Sequence, residues 1–346
     1  MEALVARLLA VLVLVLASSI GHAQPIRLAT QFGDERSEIE VRDLRTDKGR
    51  AAIQAAFAEM AEVLALAEAR DGDLARLAHA AANETVAVDP RFAALALRAQ
   101  QFCLWSNGAF GPLAGQIVAQ RKALRERSEG TDMSSFVRAL NSAACNNMRV
   151  RSAEASDPGA AAQQAPAGSG IAVAEGSLMD LRGWLRGFAI DRAMDALRAH
   201  GAGNAWVDLG PVRRAVGEGP GGDGWPVILS FPGVATPVTS IFLLDRAMAV
   251  ITPLAAEGAR DPLLFDQRNG RETHGIVAVA AVTELAIDAE SLAATVAVIG
   301  FSEGKMRLAS LKPLPSALVL LGDGSGPPVR SDFHWLELPQ IRRPRN

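Results

Sequence analysis

Tyrosine is absent from this 346-residue chain, cysteine occurs only twice, and aromatic residues make up 5%. Two cysteines, Cys103 and Cys145, are too few for a disulfide framework, and no His/Cys spacing reads as a zinc site. His79, His200 and His274 have no partner at catalytic spacing. Neither a Gly-x-Ser-x-Gly elbow nor a His-Glu-x-x-His helix occurs, so hydrolase chemistry of those kinds has no sequence support. The formal net charge is only −3, so no global field recruits nucleic acid or an anionic membrane. The basic tail at Arg342, Arg343 and Arg345 reads as a solvated terminus, and no repeat of fixed period is visible.

What is present begins with a leader. Arg7 ends a short n-region, the apolar run 8–17 is too short to span a bilayer comfortably, and Gly21-His22-Ala23 offers small residues where a signal peptidase reads. Cleavage after Ala23 is expected, leaving a periplasmic or exported protein that starts near Gln24 and has no stable membrane span; an uncleaved anchor is the alternative. An oxidising compartment permits Cys103 and Cys145 to pair, but their spacing in sequence leaves paired and free thiols both open. Hydrophobic residues at 49% and charged residues at 21% are ordinary for a globular protein. Residues 24–346 are expected to form one domain. Its flexible insertion at 153–170, rich in Ala, Gln, Gly, Ser and Pro, buries too little to offset its ordering entropy.

Periodicity divides the domain into helices and strands. One or two strands are expected at 26–42 around Phe32-Gly33. A helix follows at 49–70, with Ile53, Phe57, Met60, Val63, Leu64 and Leu66 on its apolar face. A short helix (74–81) and a short strand (84–88) come next. Asp89-Pro90 reads as an N-cap with proline at the first helical position of a helix through Trp105. A turn at 107–112 and helices from near Leu113 and over 132–141 complete the first half. Strands dominate afterwards, at 171–173, 205–209, 226–231, 240–244 and 275–282. A helix over 288–300 has its stop at Gly304, and 316–321 is the final strand. Strands and helices mix without regular βαβ alternation, which favours an α+β fold.

The stretch 179–217 organises this pattern. It reads as a strand, a glycine-punctuated turn, an amphipathic helix with Trp184, Leu185, Phe188, Ala189, Ala193, Met194 and Leu197 on one stripe, and a second strand. A glycine turn feeding a helix is able to receive phosphate, and equally well packs a helix on a sheet. Asp180, Leu181, Gly183, Gly187 and Asp191 resemble the Asp-Leu-Gly-Gly-x-x-Lys-Gly-x-x-x-Asp segment of the ApbE family, the FAD:protein FMN transferases. Further ordered resemblances are Phe32-Gly33-Asp34 to Met-Gly-Thr, 106–113 to Ser-x-Gly-Ala-Phe-Asp-Pro, and 204–217 to Asn-x-x-Val-x-x-Gly-Gly-Asp. Trp225 with Pro232 resembles Trp-x-Val…Pro, and 243–253 resembles Ala-Val-Ala-Thr-Ser-Gly. Finally, 266–270 resembles Asp-Pro-x-Thr-Gly, and 289–300 resembles the Ala-Asp-Ala-x-x-Thr-Ala helix.

The resemblance implies an ApbE-like α+β fold, a two-half mixed sheet arrangement with packed helices. It also implies a reaction in which FAD is cleaved at its pyrophosphate and FMN is joined to a Thr or Ser hydroxyl of a target flavoprotein, with Mg²⁺ neutralising phosphate charge. Carried over residue by residue, it assigns Asp180, Arg186, Gly210 and Asp266 to the cofactor and Glu290 to the metal. No catalytic residue is assigned. Each residue also has a structural reading: Asp180 and Asp191 as caps, Arg186 on a solvated helix face, Glu290 and Asp288 as acids at an exposed helix start.

Several polar positions of the family pattern differ here. Glu290 stands for the metal-binding Asp and Ala294 for the metal-binding Thr, while Thr295 lies about 100° further round the helix. Leu263 stands for a His, Val250-Ile251 for Thr-Ser, Pro211-Val212 for Gly-Asp, Gly111 for Asp, and Arg186 for Lys. Two functions are therefore expected as alternatives: the flavin transferase itself, or a catalytically impaired protein of that fold that binds FAD or a partner.

Overall fold

The computed structural model describes residues 24–335 apart from 69–71, 127–132, 152–167, 232–233, 235–236, 254–263 and 324–325. The leader, Pro232, Leu263 and most of the 153–170 insertion lie outside the described residues.

The chain opens with the hairpin β1 (Ile26–Phe32) and β2 (Glu35–Val41), then the long helix α1 (Thr46–Glu68) and the short α2 (Asp73–His79). A mainly helical segment follows: β3 (Val86–Ala87), α3 (Pro90–Trp105), α4 (Gly115–Arg125), α5 (Met133–Ser142), β4 (Met148–Arg151) and β5 (Gly170–Val173). Next come α6 (Leu185–Ala199), β6 (Ala205–Leu209), β7 (Val212–Val216), β8 (Trp225–Leu229), β9 (Thr239–Leu243) and β10 (Arg246–Ile251). The chain continues through β11 (Phe265–Asp266), β12 (Arg271–Glu272), β13 (Ile276–Thr283), α7 (Ala286–Leu308), β14 (Ser316–Leu321) and β15 (Val329–Phe333). This is the expected α+β class.

Eight antiparallel strands form the main sheet in the order β1-β2-β6-β7-β10-β13-β14-β15. It divides into two four-stranded halves, with α6 packed over β6 and β7 and α7 over β10 and β13. On the opposite face the β8–β9 hairpin covers the second half. Alternate residues of β13 therefore enter different cores: Val279 and Ala281 face the helices, while Ala278, Ala280 and Val282 face the hairpin with Trp225, Leu229 and Ile241. Burial on both faces explains why β13 and β14 read as unbroken apolar runs.

Local signals account for several boundaries. Asp89 caps α3 as expected, its Oδ1 accepting the Arg91 N–H at 2.8 Å, with Pro90 at the first helical position. Three expectations need correction. No strand forms at 179–181, because the Asp180 side chain accepts the Arg182 N–H at 3.1 Å and folds the segment into a turn. The helix expected over 288–300 starts at Ala286 and continues to Leu308. Gly300 (φ 83°, ψ 165°) kinks it, and the buried Gly304 sits inside the resumed segment rather than stopping it. The strand 316–321 is not the last, since β15 pairs with it along Leu321↔Val329 to Ala317↔Phe333. The strands β7 and β10, central to the sheet, carry arginines among their apolar residues and have no clean alternation to expose them in sequence.

Helices α6 and α7 meet backbone to backbone. A Cβ on Gly187 would stand 2.5 Å from the Ala286 carbonyl oxygen and 2.5 Å from the Ile287 Cα. Glycine is required there for close approach. Cys103 of α3 and Cys145 form a disulfide that closes a sequence separation of 42, with Cα atoms 5.8 Å apart. Among the described residues no helix is long and apolar enough to cross a membrane.

Two stability outcomes follow. Replacing both cysteines by serine is expected to lower the unfolding free energy by about 2–4 kcal/mol, because the open loop restores denatured-state entropy; urea titration measures it, and an unchanged midpoint would remove the disulfide from the stability account. Gly187→Ala is expected to cost about 1–3 kcal/mol through overpacking against backbone that has nowhere to move, read as a fall in the same midpoint.

Candidate functional site

The turn between β1 and β2 and the first turn of α6 face one another across a cleft of about 660 Å³. Phe32, Leu64, Leu185 and Leu209 give it an apolar wall, and Asp34, Glu35, Arg182 and Arg186 give it a charged rim. Its size and mixed lining are those of a small-molecule site. The expected Phe32-Gly33-Asp34 turn and the 180–187 segment are thus brought together, although Glu35 and Arg186 at their edges lie 151 positions apart in the chain.

Arg186 is the centre of the rim. Its Nε donates to Glu290 Oε1 at 2.8 Å and its Nη1 donates to Glu35 Oε1 at 2.7 Å. The other Glu290 oxygen accepts the Gly187 N–H at 2.8 Å. The Glu290 side chain is 1% exposed, Arg186 28% and Glu35 36%. Burial opposes the charge on Arg186, but the Glu290 and Glu35 carboxylates outweigh it and hold its pKa above the ordinary value. Burial is also the largest influence on Glu290 and pushes its pKa up, with Arg186 and the Gly187 N–H opposing.

A second buried pair lies deeper between the same helices. Asp191 of α6 accepts Arg214 Nη1 at 2.7 Å and the Ala286 N–H at 2.8 Å through Oδ1, and the Ile287 N–H at 3.0 Å through Oδ2. It therefore caps the start of α7 from a neighbouring helix. Burial lifts its pKa to about 6 against the pull of Arg214 and the two N–H groups. Asp288, also at that helix start, forms a two-pronged pair with Arg98 at 2.8 and 2.6 Å.

The remaining assigned residues divide. Gly210 (φ 56°) makes the two-residue turn from β6 to β7, and a Cβ there would stand 3.1 Å from the Glu35 carboxylate, so it borders the Arg186 cluster. Asp180 accepts Arg182 Nη2 at 2.6 Å and holds that arginine at the cleft rim, while its own N–H donates to Pro112 O at 2.8 Å. Asp266 does not line this cleft. It accepts from Arg268 at 2.7–3.0 Å and caps the turn that closes with Gly270 N–H on its carbonyl. The adjoining Gln267 ties that turn to Ala109 and Gly111 by hydrogen bonds of 3.0 and 2.9 Å.

Glu35 is the residue that sequence reasoning missed. Its only local signal is its place directly after the Phe32-Gly33-Asp34 turn, and its partner lies 151 positions away.

The residues do not suit a divalent cation. Both Glu290 oxygens are engaged, Ala294 has no ligand atom, and Val212 and Ile251 are buried hydrophobes. Among the described residues no group of three or more His, Cys, Asp and Glu side chains is placed to hold a metal. Position 111 is filled from another direction: a Cβ on Gly111 would stand 2.4 Å from Cys103 Sγ. The donor set does suit an anion, since Nη2 of Arg186 has no hydrogen-bond partner among the described residues and the side chain lines the cleft.

Comparison with known proteins agrees with this architecture. The ApbE family model matches residues 34–318. The apo form of the flavinyl transferase ApbE from Pseudomonas stutzeri superposes with a TM-score of 0.74 at 15% identity, covering 91% of this chain and 96% of that one. The flavin transferase ApbE from Vibrio cholerae gives 0.70 at 15%, covering 90% and 97%. The apbe protein of Thermotoga maritima gives 0.70 at 20%, covering 89% and 97%. No curated protein matches the sequence. At these identities the structures speak to the fold, and the family match extends over most of the sequence: the chain belongs to the ApbE family.

Proposed function

We propose that this chain is an exported member of the ApbE family that holds FAD in the Arg186 cleft and does not carry out magnesium-assisted FMN transfer. One observation carries the reading: Glu290, which stands where the family pattern has a metal-binding acid, has its carboxylate engaged by Arg186 and the Gly187 N–H. Loss of metal assistance removes several kcal/mol of transition-state stabilisation from phosphoryl transfer. The cleft's parts still suit a flavin nucleotide. Phe32 and Leu64, both partly exposed, offer apolar surface to a flat ring, and the guanidinium of Arg186 offers charge-assisted donors to a phosphate.

The family favours a second reading, in which the chain is an active FAD:protein FMN transferase. In that reaction a Thr or Ser hydroxyl of a target flavoprotein attacks the FMN phosphorus, the pyrophosphate P–O bond breaks and AMP leaves. Membership of the family and the retention of its fold over about nine-tenths of the chain support this reading.

Incubation of the mature chain with FAD, Mg²⁺ and a flavoprotein that a bona fide family transferase modifies separates the two. FAD is expected to bind, with no covalent flavin on the target after denaturation; Mg²⁺-dependent covalent flavin would establish the transferase instead. Intact-mass measurement of the exported protein is expected to place its first residue at Gln24.

A further inference from the structure

The rim of the cleft has the charge pattern of a cation held between two acids, except that the cation is a side chain. Glu290 reaches Arg186 from α7 and Glu35 reaches it from the start of β2. They take different nitrogens, Nε and Nη1. Glu290 is buried and also fixed by the Gly187 N–H, so it is the permanent partner. Glu35 is partly exposed and has a single hydrogen bond to Arg186, so it is the exchangeable one. Nη2 is unpartnered among the described residues.

We propose that Arg186 is a tethered substitute for a divalent cation, which binds a phosphate group of the ligand without any metal. Held by Glu290 at Nε, the guanidinium keeps its Nη1–Nη2 end for the cleft. When the Glu35 carboxylate gives way, that end presents two parallel N–H donors, the geometry that matches two phosphate oxygens. Displacing Glu35 into water is inexpensive because it is already partly solvated. Leaving it in place sets a carboxylate beside the phosphate, so Glu35 competes with the ligand. The inference rests on the cleft reading above for the ligand class alone. The exchange of side chain for metal depends only on the three charges: with Arg186 removed, Glu35 and Glu290 lose the counter-charge they share, and hard divalent cations take oxygen ligands of that kind.

Binding of FMN and riboflavin, which differ by one phosphate, tests the idea by flavin fluorescence. The wild-type chain is expected to prefer FMN by about tenfold, the worth of one charge-assisted contact, equally in EDTA and in Mg²⁺. Glu35→Gln should raise FMN affinity and leave riboflavin unchanged. Arg186→Lys, which keeps the charge and the buried pair but loses the fork, should reduce the FMN preference. Arg186→Met should abolish it and, unlike the wild type, show a melting temperature that rises with Mn²⁺. An FMN preference that requires Mg²⁺, or that survives both Arg186 substitutions, would overturn the proposal; so would a wild-type chain as strongly stabilised by Mn²⁺ as Arg186→Met. Should neither flavin bind, the flavin reading fails, while the Mn²⁺ response of Arg186→Met still supports the tethered cation. Should riboflavin bind as well as FMN, the cleft reading stands and the tethered cation falls. The Glu35→Gln and EDTA measurements keep the test decisive if Arg186→Met does not fold.

Discussion

The contact between the first turns of α6 and α7 is the constraint on which the site depends. Gly187 admits the backbone of Ala286 and Ile287 at a distance that no side chain allows. Because α6 packs on one half of the sheet and α7 on the other, this contact joins the halves on their helical face. Such closeness shuts water away from the N–H groups that every helix start leaves open. Each helix supplies the other's missing acceptor. Glu290 of α7 takes the Gly187 N–H, and Asp191 of α6 takes those of Ala286 and Ile287. Two buried acids then need counter-charges, and Arg186 and Arg214 provide them.

That chain of requirements explains why the cleft has the chemistry it has. A buried carboxylate without a cation is costly, and removing one member of such a pair typically costs about 3–5 kcal/mol. The arginine at the cleft rim is thus part of the joint between the helices as well as part of the cleft. Glu35 lies outside this logic: it is partly exposed, it arrives from the β1–β2 hairpin, and the fold does not need it to satisfy a buried group.

Sequence made the frame legible where short-range rules decide. The apolar stripe of α6, the Asp89-Pro90 start of α3 and the apolar run that becomes β13 are all local signals. The order of glycine-marked segments was enough for the family. What could not be read was long-range pairing. Arg186 looks like a solvated residue on a helix until Glu290, 104 positions on, is seen to enclose it. The Cys103–Cys145 bridge depends on a Cα separation that no spacing encodes. Asp266 matches the family pattern in sequence, and its carboxylate is taken up by Arg268, a pairing that the pattern does not announce. The kink at Gly300 shows the same limit, since a glycine ends one helical segment without preventing the next.

The sulfur of Cys103 lies in the space that any side chain at position 111 would enter. With the backbone as it stands, the disulfide and any side chain at that position would collide, and one of them would have to shift. A Gly111→Asp change arising by itself would meet sulfur, and loss of Cys103 by itself would free Cys145 while leaving glycine in place. The Cys103 Cβ would also stand 3.0 Å from the Cβ of such a side chain, so removing the sulfur alone leaves the position tight. Packing at one glycine thereby ties the residue at position 111 to the disulfide beside it.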